Sequence, residues 1–178
     1  MKKLRILVLM LVTIFSISGC SSVDTSNSAM DISNTRIFVD SETNVMYTWY
    51  KSGYGAGMSI MLNADGSPKV YDSSTSKYSN INDISNTRIF VDPETNVMYT
   101  WYKSGYGAGM SIMLNADGSP KVYNSSTSKY SNINDISNTK IFVDPETNVM
   151  YTWYKSGYGA GMSVMLDADG SAKTYKQQ

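Results

Sequence analysis

From residue 35 the chain sets short runs rich in apolar residues, TRIFVD, then NVMYTWY, then GMSIML, then PKVY, between polar and glycine-rich turns. A period of two is the signature of a strand, because successive side chains point to opposite faces. The pattern predicts a first strand over 35–39, a turn over 40–44 and a second strand over 45–50. In that second strand Val45, Tyr47 and Trp49 share one face, and Met46, Thr48 and Tyr50 the other. Residues 51–57 read as a glycine-rich loop. A third strand follows over 58–62, then the turn Asn63-Ala64-Asp65-Gly66 and a short fourth strand over 69–71. Asp-Gly between apolar runs is a strong hairpin signal, since glycine takes positive φ at no steric cost.

The pattern that opens DISNTRIFVD at Asp31 restarts at Asp83 and, as DISNTKIFVD, at Asp135, a period of 52 residues. Repeats one and two differ only at Ser41/Pro93 and Asp72/Asn124, whereas the third carries Lys140, Val164, Asp167, Ala172 and Thr174. Pro93 and Pro145 stand where a turn prefers a preset φ. The expectation is one fold copied three times, as β modules at 35–71, 87–123 and 139–175 with a tail at 176–178. Between them, 72–86 and 124–138 are rich in Ser, Thr and Asn and read as linkers.

The predicted class is therefore all-β: three tandem antiparallel β-meander modules of about four short strands each. A single β-trefoil-like domain is the alternative. A module of ~40 residues without disulfides or metal is near the lower size limit for folding. Either the repeats pack on one another, or aromatic density compensates for size.

Ahead of the repeats, Lys2, Lys3 and Arg5 precede an apolar stretch from Ile6 to Phe15, and Ile17-Ser18-Gly19 leads to the sole cysteine, Cys20. This resembles a lipoprotein signal peptide over 1–19 with its lipobox; the run is well short of the ~20 apolar residues that a membrane span needs. The resemblance implies cleavage before Cys20, diacylglycerol on its thiol, and a tether over 20–34. The lipid bilayer is then a partner through diacylglyceryl-Cys20, and the protein sits on the extracytoplasmic face of the cell membrane, or at the outer membrane in a Gram-negative host. Two acyl chains suffice for stable anchoring.

Losing the leader leaves 12 of the 15 basic side chains against all 15 acidic ones, a net charge near −3. No basic patch or stripe is visible, so nucleic acid is not an expected partner. The chain has no histidine, and lipidation consumes its one thiol. Ser/His/Asp triads, Cys/His pairs and zinc sites built on Cys or His are thereby excluded. Asp167-Ala168-Asp169-Gly170 resembles part of a calcium loop but lacks the remaining ligands, and Asn63 and Asn115 open the other two copies. Asp40/Glu42, Asp92/Glu94 and Asp144/Glu146 flank a turn rather than a cleft. No catalytic residue, metal or cofactor is expected, and a carboxylate-only glycoside hydrolase is the least favoured activity.

The aromatic cluster is the most suggestive chemistry. Trp49, Tyr50 and Tyr54 recur as Trp101, Tyr102 and Tyr106 and as Trp153, Tyr154 and Tyr158. Exposed Trp and Tyr offer apolar area and hydroxyl hydrogen bonds to sugar rings, which makes an envelope glycan the expected ligand. Tyr47 and Trp49 serve equally well as module core, so Tyr50 and Tyr54 are the better candidates for exposure. A structural spacer or protein-interaction array is the alternative function.

The elements IFVD-x-ETNVMY and GYGAGMSIML-NADGSPKVY resemble a small family of uncharacterised domains of Gram-positive bacteria and their phages. The likeness covers 35–71, 87–123 and 139–175. Its features fall at Asp40, Thr43/Val45/Tyr47, Gly53/Gly55/Gly57 and Asn63/Asp65/Gly66/Pro68. Asn63 and Asn115 depart from the family's usual Asp, and Ala172 from its proline. The resemblance implies a small β domain and supplies no catalytic residue.

Overall fold

The computed structural model describes residues 31–32, 35–79, 81–131 and 133–176. The expected leader, Cys20 and most of the tether lie outside the described residues. Residues from Asp31 onward form one compact unit. Repeat one contributes β1 (Arg36–Val39), β2 (Met46–Ser52) and β3 (Gly55–Ile60), and β4 (Ile81–Asp83) follows. Repeat two contributes β5 (Arg88–Val91), β6 (Met98–Ser104) and β7 (Gly107–Ile112), followed by β8 (Ile133–Asp135). Repeat three contributes β9 (Lys140–Val143), β10 (Met150–Ser156) and β11 (Gly159–Val164). The fold is all-β, with no α-helix among the described residues.

Three open sheets run in the orders β3-β2-β1-β4, β7-β6-β5-β8 and β11-β10-β9. They do not merge into one closed barrel, so the trefoil alternative falls. In the first sheet Phe38 lies opposite Tyr47, and Ile37 opposite Thr48. Phe38, Tyr47 and Trp49 therefore share one face, and Ile37, Val39 and Met46 the other.

Two local expectations need correction. The glycine-rich run 51–57 is not a loop: Ser52 pairs with Gly55, which leaves only Gly53-Tyr54 to reverse the chain. Gly53 takes φ 57° while Tyr54 stays negative, the pattern of a type II′ hairpin. The third strand thus begins three residues earlier than expected. The fourth strand over 69–71 is reduced to isolated bridges, Val45 to Val70 and Leu62 to Pro68, around the Asn63–Gly66 turn.

The stretches 72–86 and 124–138, read as linkers, are ordered parts of the sheets. β4 adds to β1 in parallel, with Ile81 opposite Ile37, and β8 adds to β5 in the same way. Each then enters a 3₁₀ turn, where the Asp83 or Asp135 side chain accepts from the backbone N–H of Ser85 or Ser137. Three-residue strands in polar sequence carry too few apolar positions to show a period, so alternation could not reveal them. Tyr78 and Ile81 pack on Ile37, Val39, Met46 and Met61, on the face that repeat one turns away from repeat two.

The repeats pack in series. Phe38, Tyr47 and Trp49 meet Ile84, Ile89, Val91, Met98 and Met113 of the next repeat, and Phe90, Tyr99 and Trp101 meet Ile136 and Met165 of the third. Burying each large apolar side chain contributes about 1.5–3 kcal/mol. No single module could bury these residues alone, so stability is shared between neighbours. Glycine permits the closest approach: a Cβ on Gly109 would stand 2.3 Å from the Met58 nitrogen, and one on Gly161 2.6 Å from that of Met110.

Candidate functional site

The tight Gly53-Tyr54, Gly105-Tyr106 and Gly157-Tyr158 reversals hold one tyrosine at each hairpin tip. Because β3, β7 and β11 stack closely, these three rings line up: Tyr54 to Tyr106 and Tyr106 to Tyr158 are each 5.3 Å between centroids, tilted by 62° and 67°. Tyr54 and Tyr158 are 79% and 81% exposed, and the middle ring, Tyr106, 49%. The tilt keeps neighbouring rings from covering one another face to face. The result is a rigid stripe of three phenols.

The other aromatics suggested by the sequence go elsewhere. Trp49 and Trp101 are buried, with indole N–H groups that find no hydrogen-bond partner, and Trp153 is half-buried. Tyr102 and Tyr154 pack at repeat boundaries, edge to face with Trp49 and Trp101 at 5.2 and 5.1 Å, and only Tyr50 is exposed at that position. The Arg36 guanidinium stands over Tyr102 and donates to its hydroxyl, as Arg88 does to Tyr154. Tyr50 and Trp49 line an open hollow of about 610 Å³ with Thr35, Arg36, Lys51 and Asn82. The nine candidates therefore separate into a stripe, a hollow and a set of buried joints.

Two of the three acidic pairs read from sequence as turn flanks are joints as well. Asp40 Oδ1 accepts from the Glu42 backbone N–H within its turn. Its other oxygen meets Lys121 Nζ at 2.6 Å, and Glu42 lies 2.8 Å from the same ammonium. Tyr130 donates to Asp40 at 2.5 Å and accepts from Lys121 at 2.8 Å. Asp92, Glu94 and Lys173 repeat the ion pairs one unit on. Burial, and then the Asp40 charge, hold the Tyr130 phenol far above the ordinary tyrosine range. Burial also lowers the proton affinity of Lys173, but its bonds to Asp92 and Glu94 outweigh that and leave it raised. Asp40, Glu42, Asp92 and Glu94 are thereby tied to lysines across the repeat boundaries.

Tyr47 adds a further joint, its hydroxyl accepting from the Leu114 N–H at 3.0 Å, as Tyr99 does from Leu166 at 3.1 Å. The joint residues escaped sequence reading because the partners stand 81 or 67 positions apart. A usable signal existed: Asp40/Asp92/Asp144 and Lys69/Lys121/Lys173 are unchanged while Pro68 and Val70 vary to Ala172 and Thr174. In the third repeat Asp169 accepts from both the N–H and the hydroxyl of Ser171, which accounts for that carboxylate within the turn.

A family model matches three successive stretches, 22–71, 74–123 and 126–173. The chain belongs to the family of unknown function DUF6440. No curated protein and no solved structure matches it. The DUF6440 unit starts ahead of each module and takes in most of the residues first read as linkers. That boundary agrees with the packing, in which β4, β8 and the 3₁₀ turns belong to the sheets and joints.

Proposed function

We propose that this DUF6440 protein is a non-enzymatic binding protein, held on the extracytoplasmic face of the membrane by lipid on Cys20, which engages an extended envelope glycan along Tyr54, Tyr106 and Tyr158. The observation that carries this reading is the row of exposed rings at 5.3 Å intervals. An interval on the scale of one sugar unit suits a polysaccharide, and each phenol supplies an apolar surface with a hydrogen-bonding edge. Because the repeats are packed together, the three rings form one continuous platform rather than three sites on flexible tethers.

The test is retention of the full chain, in detergent, on insoluble peptidoglycan and in gels containing soluble polysaccharides. Wild type is expected to be retained, and Tyr54→Ala/Tyr106→Ala/Tyr158→Ala to bind about tenfold or more weakly, from roughly 0.5–1.5 kcal/mol per ring. A wild-type chain that none of these glycans retains, or a triple variant that binds as well, would sink the reading.

A second reading, an interaction array, is favoured by a separate observation: repeat three exposes Phe142, whose counterparts in the other repeats are core.

A further inference from the structure

The ion pairs, the tyrosine-to-backbone bonds and the closest glycine approaches that join repeat one to repeat two are remade between two and three. Asp40 and Glu42 hold Lys121, and Asp92 and Glu94 hold Lys173. Tyr47 accepts from Leu114 and Tyr99 from Leu166. Gly109 lies on Met58 and Gly161 on Met110. Each repeat therefore carries a surface on one side and its complement on the other. The outer repeats each present one of these without a partner among the described residues.

On repeat three, Asp144 and Glu146 have no lysine partner. Phe142 is 47% exposed where Phe38 and Phe90 are 1%, and Met162 is exposed where Met110 is buried. Among the described residues the strand β9 lacks the parallel neighbour that β4 and β8 give to β1 and β5, which leaves its sheet edge without a described partner. On repeat one, Lys69 makes no ion pair among the described residues, although its Nζ already donates to Tyr78 at 2.9 Å in the way Lys121 does to Tyr130. Tyr50 and Leu62 are exposed, Gly57 has open space before it, and Ile32 is 40% exposed where Ile84 and Ile136 are 0% and 2%.

We propose that repeat one of a second copy of this chain docks on repeat three, head to tail, remaking the internal joint between molecules. Lys69 and Tyr78 of the incoming copy meet Asp144 and Glu146. The N–H of its Leu62 meets the Tyr151 hydroxyl, its Tyr50 packs on Phe142 and Trp153, and its Gly57 lies on Met162. Lys140, standing over Trp153 at 5.5 Å, takes the place of Arg36 and Arg88 beside the incoming Tyr50. At the ion-pair positions the charges are complementary, Lys69 on the incoming side and Asp144 and Glu146 on the receiving side. Two different surfaces meet, so the contact does not close on itself and copies add in an open row. Solenoid arrays that stay single cover their end repeats with polar faces, and the exposed Phe142 and Met162 are the opposite of such a cap. This inference is independent of the glycan reading.

Sedimentation velocity of the full chain, in density-matched detergent over a concentration series, provides the test. The average mass should rise with concentration without reaching a plateau. Lys69→Glu or Glu146→Lys alone should lower the association constant about tenfold or more, the equivalent of about 1.4 kcal/mol, and combining both in one chain should restore it by exchanging the charges across the contact. Gly57→Val, which has room within a single copy, should also block growth while leaving circular dichroism unchanged. Constant monomer mass at all concentrations overturns the proposal. So does a plateau at dimer, growth that Gly57→Val does not reduce, or a charge exchange that fails to recover association.

Discussion

Lys121 of repeat two reaches across the repeat boundary to set its Nζ 2.6 Å from Asp40 Oδ2 of repeat one, and Asp40 has no solvent exposure. The pair costs desolvation to bury, and its mutual attraction with the Tyr130 bond offsets that cost. Removing one partner leaves the other charge stranded. Lys121→Met should therefore destabilise the protein by about 3–5 kcal/mol in urea unfolding. Lys69→Met, the same change where no carboxylate answers, should cost less than about 1 kcal/mol at dilutions where copies do not associate. Equal losses at the two positions would show that the ion pair is not what the lysine contributes.

Glycine at one repeat position faces two different surroundings. A Cβ on Gly109 or Gly161 would enter the backbone of the preceding repeat, whereas at Gly57 nothing lies within 4 Å. Gly109→Ala and Gly161→Ala should each cost about 1–3 kcal/mol through overpacking, and Gly57→Ala should leave the thermal midpoint of dilute protein in place.

Iodide should quench one tryptophan of the three. Trp49 and Trp101 are buried and Trp153 is half-buried, so Trp153→Phe should remove most of the quenchable emission. Quenching that survives this substitution would place another indole in solvent. The buried pair also makes tryptophan emission a poor reporter of events on the tyrosine stripe.

With no histidine, stability should be flat between about pH 5 and 8. Burial raises the phenols of Tyr47, Tyr99 and Tyr130 in the folded protein above their ordinary 10.0. The unfolded chain then loses these protons first as the solution becomes alkaline. Their contribution is fully present below pH 10 and is lost as pH climbs above it, and Lys173, also raised, adds a loss of the same sign above 10.5. At the acid end, bonds from Ser67, Ser119 and Ser171 lower Asp65, Asp117 and Asp169 below 3.8, so their contribution fades as pH falls past that value. Urea midpoints across pH, with tyrosinate absorbance to follow the buried phenols, check both limbs; tyrosinate signal from all 14 tyrosines before unfolding would contradict the burial.

The strands were legible because Val45, Tyr47 and Trp49 recur at every second position in a run of β-branched and aromatic residues, and the repeat because its residues barely change. The two-residue reversal at Gly53-Tyr54 was hidden by the glycines after it, which suggested a loop although they sit in β3, and their counterparts in β7 and β11 let repeats approach. β4 and β8 were hidden by composition, since Ser and Asn around Ile81 and Ile133 promise turns more strongly than a three-residue strand announces itself. The tyrosine stripe was half legible. Exposure of Tyr54 follows from its place at a hairpin tip, but its alignment with Tyr106 and Tyr158 depends on stacking across repeats. Pairing of Asp40 with Lys121 has no local trace, because it spans a boundary between copies whose own sequences do not encode which neighbour they will meet.

Phe38, Phe90 and Phe142 are the same residue in the same strand, yet two are core and the third is surface. Position in the row, rather than sequence, decides which. An in-frame gain or loss of 52 residues between equivalent points would thus convert surface into core or core into surface without altering a single codon elsewhere. Recombination between such nearly identical segments supplies that change readily. The gene can lengthen or shorten the aromatic stripe one ring at a time, making the length of that stripe a matter of copy number.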